Sequence, residues 1–213
     1  MKVHLIRSEE YSKESFKELV LFLHQSKGPC EFITPNETIS WLDEELNEIK
    51  WTDDEIQRKE AYPRVMDVQE CRCRREKSKE VSWPGIFSKT KKVRKAKSIN
   101  EKELVIIITD HANEHNWFSA GDPRGEKDFF VQSSFWELYV DGPPQYAVAY
   151  EVASIVLQSQ LFRSYKNMAD YAHKKPRGCM NDLCQDKPEI SMKLRTADLC
   201  KVCMALIKKR KID

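Results

Sequence analysis

The sequence predicts an α/β or α+β fold, a small mixed sheet with packed helices. Three observations carry this: a β-α-β pattern at the start, one fully apolar strand pattern in the middle, and an apolar helix pattern after it. Residues 2 to 6, KVHLI, read as a strand. Ser12 then opens a helix in which Phe16, Leu19, Val20 and Leu23 recur at helical spacing, ended by Gly28 and Pro29. CEFIT, residues 30 to 34, reads as the second strand. ELVIIITD, residues 103 to 110, is apolar at successive positions from Leu104 to Ile108, which implies burial on both faces and a central place in the sheet. DFFVQSSFWELYV, residues 128 to 140, reads as one or two shorter strands. Pro143 and Pro144 suit the first turn of a helix over about 145–162. Because Ala147, Val148, Ala149, Val152, Ala153, Ile155, Val156, Leu157 and Leu161 cover most of its circumference, that helix belongs in the core.

The remaining segments are polar. Between Asn36 and Glu60 the chain is acidic, and Ser40 and Thr52 stand as caps before WLDEELNEI and DDEIQRKEA, which read as surface helices. Residues 63–100 are basic and read as a loop or insertion on a single domain of 1–213. Cys71 and Cys73 within it are too closely spaced for a standard zinc hook. The stretch Ser88 to Ser98 holds six cations, Lys89, Lys91, Lys92, Arg94, Lys95 and Lys97, and no acid. Its two readings are a solvated face and a phosphate-contacting arm for nucleic acid.

Composition narrows the setting. With 40% hydrophobic and 33% charged residues, the chain of 213 has the make-up of a globular protein. Its 36 basic and 34 acidic residues leave a net charge of +2, so nothing global favours nucleic acid or a membrane. No apolar run reaches membrane-spanning length, and the N-terminus has no signal-like block, so a cytoplasmic protein is expected. In a reducing compartment, paired cysteines bind metal more readily than they form disulfides.

Residues 178–206 hold four of the seven cysteines: Cys179 and Cys184 as C-x4-C, then Cys200 and Cys203 as C-x2-C. Two such hooks bring four sulfurs to one tetrahedral point, so a structural Zn2+ site is expected. Reduced core thiols and an iron–sulfur cluster are the other readings. Four thiolates leave zinc no open position, so this site is a staple and not a catalyst.

Catalytic patterns are fewer. HANEH, His111 to His115, matches H-x-x-E-H, in which two histidines four apart bind one metal and the acid, here Glu114, activates water. That chemistry requires a helix, and the motif sits between a buried strand and a Gly/Pro-rich loop, which favours surface residues instead. Glu151 is the only charge on the core helix, so it needs a partner or a cavity, and is either a site residue or a satisfied core acid. The sequence has no G-x-S-x-G, no P-loop and no G-x-G-x-x-G.

The order of ELVIIITD, FFVQSSFWELY, AVAYEVASIVLQ and the cysteine block resembles the small zincin-type metallopeptidases, archaemetzincins in particular. In that family the helix carries H-E-x-x-H and a four-cysteine zinc site closes the domain. The resemblance puts Glu151 on the general base, and it puts Tyr150 and Ser154 where the two histidines stand. The third ligand position falls near Gln160, and Cys179 lies farther downstream than the family's first cysteine. It therefore implies a degenerate zincin-like domain that has kept its structural zinc and lost its catalytic metal. The expected function is a non-catalytic or pseudoenzyme module that binds a partner protein, as a subunit of a bacterial complex. The alternatives are a zinc-dependent peptidase using His111, Glu114 and His115 or Glu151, and a nucleic-acid-binding protein using residues 88–98.

Overall fold

The computed structural model describes residues 1–25, 28–36, 38–41, 47–48, 79–124, 127–162, 165–210 and 212. Cys71 and Cys73, Arg72, Arg74 and Arg75, and the helix expected after Thr52 lie outside them.

β1 (Lys2–Ser8), α1 (Lys13–Gln25) and β2 (Glu31–Ile33) form the expected β-α-β unit, with β1 and β2 parallel. Ser12 caps α1 through its Oγ, which accepts from Ser15 N at 3.3 Å. β6 (Leu104–Thr109) is buried along its whole length and lies between β1 and β9 (Asp128–Gln132), parallel to both. The short β3 (Thr38–Ile39) also pairs with β1. β8 (Ser119–Gly121) runs antiparallel to β9 and makes the far edge, giving the order β2-β1-β6-β9-β8. A second small sheet is formed by β4 (Asn47–Glu48), β5 (Lys79–Val81) and β7 (Ala112–Asn113).

The central sheet is covered on both faces, and strand alternation assigns each residue to a side. Leu104, Ile106 and Ile108 pack with Val3 and Leu5 toward α1 and toward α3 (Pro144–Leu161). Val105 and Ile107 pack with Ile6 and Phe130 toward α2 (Trp83–Ala96), where Ile86, Phe87 and Val93 meet them. Each fully buried Ile or Leu of β6 contributes about 1.5–3 kcal/mol to the core.

Two expectations change. The basic segment is not a loop between 83 and 96: it forms α2, whose apolar face lies on the sheet. The lysines were legible in sequence, but Trp83, Ile86, Phe87, Thr90 and Val93 between them form a helical stripe that the charges obscured. Asn47–Glu48 pair with β5 instead of continuing a helix from Ser40, because a strand distant in sequence supplies their hydrogen bonds. Trp41 is buried, with its Nε1 donating to Glu10 Oε1 at 3.0 Å, so this residue does not lie on a surface face. The segment 128–140 holds one strand, as one of its two readings expects; after β9 the chain turns through Phe135 (φ 66°) into a single 3-10 turn, Trp136–Leu138.

The C-terminal part carries α4 (Tyr165–Tyr171), α5 (Ile190–Thr196) and α6 (Lys201–Arg210). Lys208, Lys209 and Arg210 occupy the last turn of α6, where cations oppose the negative end of the helix dipole. Among the described residues, no helix is long and apolar enough to cross a membrane.

Candidate metal centre and the core carboxylate

His173, Cys179, Cys200 and Cys203 converge so that their ligand atoms all lie within 4.8 Å of one another. His173 Nε2 stands 3.8 Å from Cys200 Sγ and 3.6 Å from Cys203 Sγ. Bonds of about 2.0–2.3 Å in a tetrahedral shell put ligand atoms roughly 3.5–3.8 Å apart, so these spacings fit zinc. Three thiolates and one imidazole are a closed structural donor set, with no fourth position left for water or substrate.

Local structure explains the convergence. Gly178 has φ +78°, and a Cβ there would sit 2.6 Å from Thr196 Oγ1, so only glycine admits the close crossing that aims Cys179. Thr196 Oγ1 donates to the Gly178 carbonyl at that crossing. Cys200 N donates to Cys179 Sγ at 3.4 Å, tying the two hooks together. His173 Nδ1 pairs with Asp182 Oδ1 at 2.9 Å, which leaves Nε2 to face the sulfurs. The other oxygen of Asp182 accepts from Arg177 N at 2.7 Å and from Cys179 N at 3.0 Å. One buried carboxylate thus orients both a histidine and a cysteine ligand.

Of the four cysteines expected as ligands, the structure brings together Cys179, Cys200 and Cys203. Cys184 is not in the group; it packs against the core cluster beneath α3. Burial pushes its thiol up to about 12; Lys193 opposes this, while Glu151, Asp182 and Glu189 add to it. His173 was missed because it lies in a run of polar residues, AHKKPRGC. Its position six residues before Cys179 is the only sequence signal it offers.

The zinc segment docks on α3. Ser154 Oγ donates to the Met180 carbonyl at 3.2 Å, and Gln158 Nε2 donates to Asn181 Oδ1 at 3.2 Å. Ser154, which the resemblance puts on a catalytic histidine position, thus anchors the zinc segment instead.

Glu151 is buried and engaged. Lys193 Nζ, itself buried, lies 3.2 Å from Oε1, and Ser119 Oγ donates to Oε2 at 2.5 Å. α5 supplies the lysine and the edge strand β8 the serine, so the carboxylate ties three elements together. A general base needs a free oxygen facing a water or substrate proton, and both oxygens here are occupied. Neighbouring Tyr150 has a buried hydroxyl with no hydrogen-bond partner, and its ring lies 5.6 Å from Lys193 Nζ.

HANEH does not form a metal site. Ala112 and Asn113 are in β7 and the rest is turn, so His111 and His115 do not share a helix face. His115 packs edge-on to Trp83, with ring centroids 4.7 Å apart, while His111 lies toward Glu10 at 3.9 Å. Glu114 Oε1 accepts from Trp83 N at 2.7 Å in the first turn of α2, whose N-cap is Ser82 with its Oγ accepting from Gly85 N at 3.2 Å. Asn113, unnoticed in the sequence, joins this corner: its Oδ1 accepts from Trp83 Nε1 at 3.0 Å and its Nδ2 donates to the Trp117 carbonyl at 2.6 Å.

The basic run is divided by its helix. Lys89 is buried and Arg94 points inward, where its Nε donates to Asp128 Oδ1 at 3.1 Å; Lys92, Lys95 and Lys97 face outward and Lys91 is half-buried. Asp128 is buried and also accepts from Thr90 Oγ1 at 3.1 Å.

No protein-family profile matches the chain, and no curated protein matches it. Solved structures similar to it include archaemetzincin from Methanopyrus kandleri, at 11% identity and TM-score 0.49, covering 100% of this chain and 96% of that one. Archaemetzincin from Archaeoglobus fulgidus, complexed with malonate, is similar at 8% identity and TM-score 0.49, covering 97% and 100%. A zinc-dependent peptidase from Methanocorpusculum labreanum is similar at 12% identity and TM-score 0.43, covering 96% and 99%.

Proposed function

We propose that the protein is a non-catalytic, zinc-stapled module that acts by binding a partner protein, with Glu151 serving structure rather than chemistry. The observation that carries this reading is the saturation of Glu151 by Lys193 and Ser119, beside two positions, Tyr150 and Ser154, that offer no histidine. A buried ammonium at 3.2 Å supplies the positive charge that a carboxylate on this helix needs, which removes the requirement for a metal there. The partner half of the reading draws on exposed apolar side chains on neighbouring turns of α1 and α3. Leu21 is 64% exposed and Tyr146 56%, and Tyr146 lies 5.1 Å from Phe22 between ring centroids. An apolar group of that kind on a protein surface favours a protein contact. Membership of a bacterial complex rests on the sequence resemblance alone.

Metal analysis and complementation of a deletion test this together. The expected result is one zinc per chain, full complementation by Glu151→Gln, and loss of complementation by Leu21→Glu with Tyr146→Lys in a protein that still folds and holds zinc. A second tightly bound zinc, or loss of complementation in folded Glu151→Gln, overturns the reading in favour of a peptidase. Complementation that depends instead on Lys92, Lys95 and Lys97 overturns it in favour of nucleic-acid binding.

A further inference from the structure

The chain is nearly neutral as a whole, but its end is not: from His173 to Arg210 it carries ten lysines and arginines against four acids. Of those acids, Asp182 is buried and engaged by His173. The metal centre fixes where several of the cations stand. Lys174, Lys175, Arg177 and Lys201 each lie one or two residues along the chain from a member of the cluster, and all four are exposed. The loop that carries the first three is held at both ends, by the bonds of His173 and of Cys179 N to Asp182, and within it Arg177 N donates to the same carboxylate at 2.7 Å. Lys201 opens α6 directly after Cys200, whose Sγ is 3.8 Å from His173 Nε2. Because the ligand atoms lie within 4.8 Å of one another, the four cations rim one point of the surface. Among the described residues, no carboxylate pairs with any of them. Like charges gathered in this way attract a polyanion.

An aromatic platform borders the rim. Tyr171 ends α4 and is 52% exposed, while Phe162, on which its ring stacks with centroids 5.6 Å apart and planes 25° apart, is 4% exposed. One face of the tyrosine ring is thus backed by the core and the other is open. Asn181 ties this residue to the metal centre: its Nδ2 donates to the Tyr171 carbonyl at 3.0 Å, and its own carbonyl accepts from His173 N at 3.0 Å. The open ring therefore holds a fixed place beside the loop of Lys174, Lys175 and Arg177.

Spaced cations and a rigid ring face answer two parts of one ligand: phosphodiesters, and bases free to stack. A duplex keeps its bases stacked inside and offers only the first part. An acidic protein segment likewise offers charge alone. Val202, 66% exposed beside Lys201, is a contact that an anionic membrane would also use, so vesicles belong in the test.

We propose that the rim of the zinc segment is a binding surface for single-stranded nucleic acid, with Lys174, Lys175, Arg177 and Lys201 meeting phosphates and Tyr171 stacking a base. It shares no residue with the surface of Leu21 and Tyr146, so either can fail alone. The test is fluorescence anisotropy of full-length zinc-loaded protein with labelled oligothymidylate and oligouridylate of about 12 nucleotides. Saturable binding of at least one strand is expected, tighter than that of a duplex of the same length. Four phosphate contacts on a single strand give a log–log salt slope of roughly −3, so affinity is expected to fall about fiftyfold between roughly 50 and 200 mM salt. Lys174→Gln with Lys175→Gln is expected to reduce that slope by about 1.4. Tyr171→Leu is expected to weaken binding about tenfold with the slope unchanged and zinc retained. In the unaltered protein, ultraviolet crosslinking to a 5-iodouridine strand is expected to mark Tyr171. Lys92→Gln with Lys95→Gln, on the exposed side of α2, is expected to bind as the parent does. No saturable binding of either strand overturns the proposal, as does a duplex bound as tightly or tighter. It is overturned equally by phosphatidylserine vesicles bound where the strands are not, by a loss in the α2 variant matching that in the Lys174 and Lys175 variant, or by parental affinity in Tyr171→Leu with no crosslink at Tyr171.

Discussion

Replacing Lys193 with methionine removes the ammonium while keeping most of the buried stem, and leaves Glu151 charged in an apolar helix with only the Ser119 hydroxyl as partner. Both members of the pair are about 95% removed from solvent, at 4% and 5% exposure, so little water is available to compensate. Breaking one side of such a pair costs about 3–5 kcal/mol, whereas replacing both sides with apolar groups of similar volume is close to neutral. For a chain of this size each kcal/mol moves the midpoint by about 2–4 °C, so Lys193→Met is expected to lower the melting temperature by roughly 6–20 °C. Glu151→Leu alone is expected to be destabilised similarly, and the double variant to recover most of the loss, apart from the bond to Ser119. The assay is a double-mutant cycle by urea denaturation of zinc-loaded protein, read as a coupling energy. A coupling below about 1 kcal/mol, or a double variant as unstable as the sum of the singles, refutes the assignment of Glu151 to a structural ion pair.

His173→Ser and Cys200→Ser are each expected to release zinc and to lower stability substantially, since binding energy at a structural site is folding energy, while Cys184→Ser keeps one zinc per chain; metal analysis after dialysis decides this. Asp182→Asn is expected to weaken zinc affinity by about 10–100-fold, measured by competition with a chromophoric chelator, because it loosens both His173 and the loop of Cys179. Glu114→Ala is expected to cost about 1–3 kcal/mol in denaturant melts by leaving the Trp83 amide without its acceptor, and to leave zinc content unaltered. Burial pushes the Asp110 carboxyl up to about 6; the Ser133 bond pulls it down, and Glu10 and Glu137 push it up. Its folded value thus lies above its unfolded one, so its relative stabilisation is complete below about pH 4 and is lost as pH rises through about 6. After discounting for its partial solvent contact, that loss is about 1–2 kcal/mol, and Asp110→Asn is expected to abolish it and to be the more stable protein at pH 7.

The local patterns in this chain are strong where one face or both faces of an element are apolar. Leu104 to Ile108 announces a central strand, and the apolar circumference from Ala147 to Leu161 announces a core helix that begins where Pro143 and Pro144 require. The two cysteine hooks likewise disclose a metal segment. Burial and turn chemistry act over a few residues, so they are written in consecutive positions. α2 escaped because its lysines outnumber the apolar stripe that packs it on the sheet, and that stripe has meaning only once Ile107 and Phe130 face it.

Tertiary structure alone decided which donors converge and which charges are satisfied. His173 replaces Cys184 in the metal cluster because the chain crosses itself at Gly178 and Asp182 turns the imidazole inward, neither of which spacing encodes. Glu151 meets a lysine 42 residues away and a serine 32 residues away, and Glu114 accepts from the first amide of a helix that begins 31 residues before it. Ligand sets and ion pairs depend on distances of a few ångströms between residues far apart in sequence. The sequence therefore determined the layers, the core strand and the presence of a thiol-rich metal segment. The folded chain determined the fourth member of the metal cluster and the partners of the core carboxylate.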